Sequence, residues 1–255
     1  MCNLIIAQGV VNSEKLFTSD VDKFSLVLSP NIDLQSGNSD VFESNVSLSS
    51  LYKINSKHWL KISAGLDLIV EDKENISNDK FVQIRHTYSL NKWSHTFTFY
   101  QLQSNFSLGV SQRSLIGSGI RFKPINKNNF KYDVGLGLMH ESEEYQLDVD
   151  NSIMFRVTSM SIIKFNYDFL ELKNITYFQP SLDSFSDFRI MNEFDISFEI
   201  NNWLSYELNY IIRFDNQKPI FLEEKIDNYI TSGFNFKIEN KKWKQRNNTS
   251  FFFIL

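Results

Sequence analysis

Residues 226–238 place Ile226, Asn228, Ile230, Ser232, Phe234, Phe236 and Ile238 on one parity and Asp227, Tyr229, Thr231, Gly233, Asn235 and Lys237 on the other. Successive side chains of a strand point to opposite faces, so a period of two is a strand signature. The same alternation recurs about a dozen times along the 255 residues. When nearly every segment of ~10–14 residues alternates, a single closed sheet with one face in lipid and the other in water accounts for it best.

The alternating segments lie at about 22–35, 40–54, 58–71, 80–90, 93–103, 108–123, 129–141, 151–166, 169–179, 187–200, 203–215 and 226–238. The ninth is the least regular, because its alternation breaks near Asn174-Ile175. Short turn signals stand at 36–39, 55–57, 91–92, 125–128 and 201–202, and longer polar loops at 72–79, 142–150 and 216–225. Asn91-Lys92 reads as a two-residue hairpin connection. Short turns at one end and long loops at the other are the habit of outer-membrane barrels. No 3.6-residue period appears. The expected fold is all-β: a single antiparallel transmembrane β-barrel of about 12 strands. A soluble β-sandwich would also alternate, but would rarely need strands this long with so many aromatics on one face.

Composition agrees with this reading. The 24 Phe and 10 Tyr suit strands and interfacial girdles, and 4 Pro with 9 Gly argue against a linker-rich chain. A net charge of −4 speaks against a nucleic-acid partner. Mean hydropathy of −0.27 excludes a helical bundle in lipid but not a barrel, whose polar lumen face dilutes the average. The single cysteine, Cys2, precludes an intrachain disulfide and a cysteine metal cluster. The start, with Ala7-Gln8-Gly9 after an apolar stretch, reads as the tail of a secretion signal without its basic region. The expected division is therefore a residual signal tail and lead-in over 1–20 and the barrel over 21–255.

The face carrying Phe194, Ile196, Phe198, Tyr206, Leu208 and Tyr210 holds no charge, whereas the opposite parity holds Arg189, Glu193, Asp195, Glu199, Glu207 and Arg213. A Lys or Arg at mid-depth on a lipid face costs about 2–4 kcal/mol, so the charges belong in the lumen.

Three stretches resemble a known family, domain-of-unknown-function family 481, whose members are described as salt-induced outer-membrane proteins. They are "LQSGNSD"; "QRSLIGSGIRFKP" with "FKYDVGLGLMHESEEY"; and "YFQPSLDSFSDFRI" through "YIIRFDNQKPIFLEEKIDNYITSGFNF". The resemblance implies a barrel in the outer membrane of a Gram-negative cell envelope, with no assigned chemistry. The tail "KKWKQRNNTSFFFIL" departs from the usual terminal aromatic strand, either as the true closing strand's end or as an addition.

The candidate lumen-lining residues are Arg113, Arg121, Arg156, Arg189 and Arg213 with Glu193, Glu199 and Glu207. They either line an ion-selective pore or plug a narrow lumen with salt bridges. Gly117-Ser118-Gly119 and Gly135-Leu136-Gly137 lack the following helix of a dinucleotide site and are expected to leave lumen room for large neighbours such as Arg113 or Arg121. His140 and Ser142, beside Glu143 and Glu144, raise an alternative: a lipid hydrolase at the barrel rim. A third reading is a docking barrel whose loops 72–79 and 142–150 bind a partner or envelope polysaccharide. His58, His86 and His95 stand alone near strand ends, and no metal-ligand spacing occurs. The leading expectation is a monomer with a structural or small-solute passage role, no catalysis and no cofactor. Its expected partners are outer-membrane lipid and, during biogenesis, the barrel assembly machinery and periplasmic chaperones.

Overall fold

The computed structural model describes residues 23–35, 41–71, 74–105, 109–145, 151–217 and 225–239. They form twelve strands: β1 (Phe24–Gln35), β2 (Val41–Lys53), β3 (His58–Glu71), β4 (Glu74–Ser89), β5 (Ser94–Asn105), β6 (Val110–Asn126), β7 (Phe130–Tyr145), β8 (Ser152–Tyr167), β9 (Leu170–Pro180), β10 (Phe188–Glu199), β11 (Leu204–Asp215) and β12 (Ile226–Glu239). Each strand pairs antiparallel with its sequence neighbours, and β12 pairs with β1 to close the ring. Closure leaves no sheet edge. The expected signal tail at 1–20 and the tail at 240–255 lie outside the described residues.

The closing seam is the shortest ladder, with four registered pairs from Ser25↔Glu239 to Leu28↔Phe236. It stops two residues before Pro30, which has no N–H to offer. Past that point Asn31 lies over Gly233 and, with its amide oriented to suit, donates to Ser232 O at 3.3 Å.

Three turns share one device. Asn55 Oδ1 accepts from Lys57 N and His58 N, Asn91 Oδ1 from Trp93 N and Ser94 N, and Asn201 Oδ1 from Trp203 N and Leu204 N, all at 2.8–3.0 Å. The residue before each Asn donates to the same strand-opening carbonyl that the Asn N–H also reaches. The amide thus replaces a backbone partner, as Asx turns do. The hairpin at Asn91 spans residues 90–93, wider than the two residues expected, because this device needs Trp93 inside the turn.

Two loop boundaries move. β4 begins at Glu74, which turns most of the expected loop 72–79 into strand, and β7 runs to Tyr145, taking in Ser142 through Glu144. Here Ser77, Asp79, Glu141 and Glu143 point inward and are buried, while Asn78, Lys80 and Glu144 are exposed. Both faces are polar, so the alternation carries no hydrophobic contrast to reveal a strand. The connection at 36–40 joins β1 to β2 at the loop end, not among the short turns where the sequence placed it.

Parity holds around the ring. Across the middle of the barrel outward positions are mostly apolar, with Leu136, Leu138, Ile153, Phe155, Phe194 and Phe236 among those exposed. The irregularity in β9 is an inversion: Ile175 points inward and is buried, and Asn174 points outward. Asn174 exchanges hydrogen bonds with Asn192 at 3.2 and 3.3 Å, and Asn192 donates to Thr176 at 2.7 Å. The amides satisfy one another on an otherwise apolar surface.

The inward glycines do not make room for arginine. Phe99 lies on Gly117, Phe97 on Gly119 and Met160 beside Gly135, each across one ladder position. A side chain at Gly137 would meet Ser118 O at 2.5 Å, whereas one at Gly135 would meet only the end of Met160, at 2.9 Å. Gly137→Ala is therefore expected to lower stability by about 1–3 kcal/mol while Gly135→Ala changes it much less, because a backbone obstacle cannot swing away. Urea unfolding of the refolded protein tests this; equal midpoints for the two variants would contradict it.

Candidate functional site

The inner wall is layered on β5–β10. Nearest the loop end lies a belt of charge. Arg113 and Glu143 are direct partners on β6 and β7, and Arg113 Nε donates to Glu143 Oε1. Glu141 and Glu143, two apart on β7, share that face. Arg189 and Asp215 are direct partners on β10 and β11, joined by Nε to Oδ2 at 2.7 Å. Arg189 then reaches beyond its neighbours: Nη1 donates to Glu141 at 2.6 Å and Nη2 to Glu143 at 3.2 Å. Strands β8 and β9 stand between β7 and β10 in the ring, so this clasp cuts across the lumen rather than following the wall.

Arg156 fills the angle beneath the clasp. Its guanidinium donates to both oxygens of Asp187, at 3.0 and 3.2 Å, and to Gln179 O at 3.2 Å. Its Nε lies 3.6 Å from Glu141 Oε1. Tyr145 donates to Glu143 at 2.5 Å. Side chains of Arg113, Arg156, Arg189, Glu141 and Glu143 are between 1% and 7% exposed. A water-filled wall would leave them accessible; here they are packed against one another.

Below the belt the inner face turns apolar. Phe97, Phe99, Leu115 and Met139 cluster on β5–β7, and Met160, Ile162, Ile175, Tyr177 and Met191 on β8–β10. Nearer the turn end charge returns, with cations predominating on one wall and acids on the other. Lys61, Arg85, Arg121 and Lys123 line β3–β6. Glu171, Glu193, Asp195 and Glu207 line β9–β11, where Lys164 pairs with Glu171 and Lys173 with Asp195, both at 2.7 Å. Asn209 donates to Glu193 at 2.8 Å and Asn235 to Glu207 at 2.7 Å. Arg121 holds Asp133 at 2.6 Å.

The candidate residues thus divide. Arg113, Arg156 and Arg189 meet in the belt. Arg121, Glu193 and Glu207 belong to the lower tier, as does Glu199, exposed at the turn end. Arg213 faces Asp227 across the β11–β12 ladder. Sequence reasoning missed Glu141, Glu143, Asp187 and Asp215, the belt's acids. Two of them lie in the segment 142–150 or at its edge, read as loop. Asp187 and Asp215 lie within the stretches that carried the family resemblance.

His140 and Ser142 share the outer face, where the His140 ring packs edge-on to Phe155 at 5.0 Å. Glu141 and Glu143 turn the other way, into the belt, and so lie across the sheet from His140. His58 and His86 are not isolated: Nδ1 of one meets Nε2 of the other at 2.9 Å on the outer rim. Among the described residues, no cluster of three or more metal-ligating side chains occurs.

These features define a closed twelve-stranded β-barrel with a charged, closely packed lumen. The chain belongs to the family described as "Protein of unknown function, DUF481", whose model matches residues 32–238. No curated protein matches the sequence. Among solved structures the chain is similar to the NanC porin, at 10% identity and TM-score 0.49, covering 86% of this chain and 100% of that one. It is similar to the KdgM porin at 9% identity and TM-score 0.45, covering 84% and 98%. It is also similar to the β domain of the Bordetella autotransporter BrkA, at 8% identity and TM-score 0.41, covering 84% and 96%.

Arg189 is shared by Glu141, Glu143 and Asp215. Arg189→Met is expected to cost about 3–5 kcal/mol, because three buried carboxylates lose a common partner. Arg121→Met, which loses the pair with Asp133 and whose side chain is 12% exposed, should cost less. Denaturant titrations of both variants give the order; a smaller loss at Arg189 would show that the belt is not the stronger structural tie.

Proposed function

We propose that the protein is a non-catalytic barrel of the bacterial outer membrane, closed at rest, that passes small charged solutes when its charge clasp opens. The exterior supports the membrane setting. An apolar surface on all sides is stable only in hydrocarbon, since a water-soluble protein rarely exposes so large a patch. Aromatic rings gather in two tiers, Phe178, Phe188 and Phe214 toward the loop end and Trp203, Tyr206, Phe234 and Phe236 toward the turn end, as interfacial girdles do. Short turns then face the periplasm and the longer connections the outside.

The observation that carries the passage reading is the clasp from β10 to β7, set over an apolar collar. Charged rings select ions, and apolar constrictions close by shedding water. In series they give a lumen that excludes ions until Arg189 leaves Glu141 and Glu143. The lower tier adds a wall on β3–β6 where cations predominate, facing acids on β9–β11 that Lys164 and Lys173 partly neutralise.

Planar-bilayer recordings of the refolded protein test this. The parent should show small or infrequent conductance steps, and Arg189→Ala larger or more frequent ones, with ion selectivity altered by neutralising Glu141. Silence from both proteins, or equal conductance from both, overturns the reading in favour of a structural barrel.

A further inference from the structure

The turn end of the lumen contains two aromatic rings whose nitrogens have nothing to bond. Trp59 on β3 and His95 on β5 both point inward, at 8% and 6% exposure. Trp59 Nε1 and both ring nitrogens of His95 lack a hydrogen-bond partner. The rings meet edge to face, 6.1 Å between centroids, so they touch but leave these atoms unsatisfied. A buried donor without an acceptor is costly, and two such rings side by side ask for a shared partner.

The chemistry of the surroundings says what that partner is. An indole N–H can only donate, so its partner is an acceptor. His95 stands directly opposite Arg121 on β6, with Lys123 two residues on along the same face. Lys53 Nζ lies 5.9 Å from the Trp59 ring, and Lys61, the next inward residue of β3, stands opposite Arg85. The nearby carboxylate, Asp133, already accepts from Arg121. Donors converge among cations on this wall, while the carboxylates of the lower tier collect on β9–β11.

We infer that this corner of the lumen binds a small oxyanion, a phosphate, sulfate or carboxylate group, with Trp59 and His95 donating to it and Arg121 and Lys123 supplying the charge. The oxyanion presents several acceptor atoms at once, which suits donors arriving from β3, β5 and β6. Binding needs no flow through the lumen, so it stands or falls apart from the passage reading.

The test uses the refolded full chain labelled with nitrogen-15 at His and Trp, titrated with inorganic phosphate, sulfate and acetate against chloride at constant ionic strength. The His95 and Trp59 ring signals, assigned by His95→Phe and Trp59→Phe, should shift saturably, while those of His140 and Trp203 on the outer face stay fixed. Lys123→Gln should weaken the response by about tenfold or more. A stronger response to phosphate and sulfate than to acetate assigns a tetrahedral anion; the reverse assigns a carboxylate. Signals that none of the three anions moves, or that chloride moves equally, overturn the site and leave the rings to water. An unchanged response in Lys123→Gln overturns the part given to charge. Should that variant fail to fold, the contrast between inner and outer rings in the parent still decides the matter.

Discussion

Ring closure is the constraint on which everything else rests. A twelve-stranded sheet without an edge satisfies its backbone internally and leaves each side chain only two destinations, outside or inside. Parity along the strand therefore becomes a choice of solvent, and a single misplaced residue must be repaired locally. Asn174 shows how. It points out among Leu172, Phe178 and Phe194, and it is tolerated because Asn192 and Thr176 on the same face complete its hydrogen bonds. Its neighbour Ile175 is thereby turned inward and joins Met160, Ile162, Tyr177 and Met191.

The interior obeys a volume constraint as well as a polarity constraint. Twelve strands enclose a space that side chains from opposite walls can nearly fill. Where Phe97 and Phe99 turn inward, the facing positions on β6 are Gly119 and Gly117, and Met160 likewise faces Gly135. Large residues lie on glycines of the next strand, which brings β5–β8 into close lateral contact and builds the collar from one wall. The long guanidinium side chains then have only the ends of the lumen in which to extend. That is where Arg113, Arg156 and Arg189 are found on one side of the collar, and Arg85 and Arg121 on the other.

Strand number, order and direction were legible because alternation marks every strand that crosses the apolar band. The inward placement of Arg113, Arg156, Arg189, Glu193 and Glu207 follows from the same parity. What parity does not encode is height. Glu141 and Glu143 sit where β7 has risen past the apolar band, so their strand looks like loop in the sequence. The collar was hidden for a related reason. Leu115-Ile116, Leu138-Met139, Ile162-Ile163 and Tyr177-Phe178 are doubled apolar residues, one facing each way. Each pair reads as a lapse in the pattern, although together they mark where the inner face of β6–β9 is apolar. The partnership of Arg189 with Glu141 lies beyond any reading of neighbours, since it joins strands separated by two others.

That non-neighbour contact ties the state of the lumen to the shape of the whole ring. Cross-strand pairs such as Arg113 with Glu143 depend only on local register and survive any change in barrel ellipticity. The bonds from Arg189 to Glu141 and Glu143 span the arc occupied by β8 and β9, so their lengths change when that arc flattens or bows. Arg156, held by Asp187 and Gln179 O, stiffens this arc by fastening β8 to the connection between β9 and β10. The Asp187 end of that brace lies in the 181–187 connection, at the loop-end rim. Arg156 therefore links the 181–187 connection to Glu141, and through Glu141 to the clasp. Glu141 lies beside both arginines, and Asp187 is the most exposed of these paired residues.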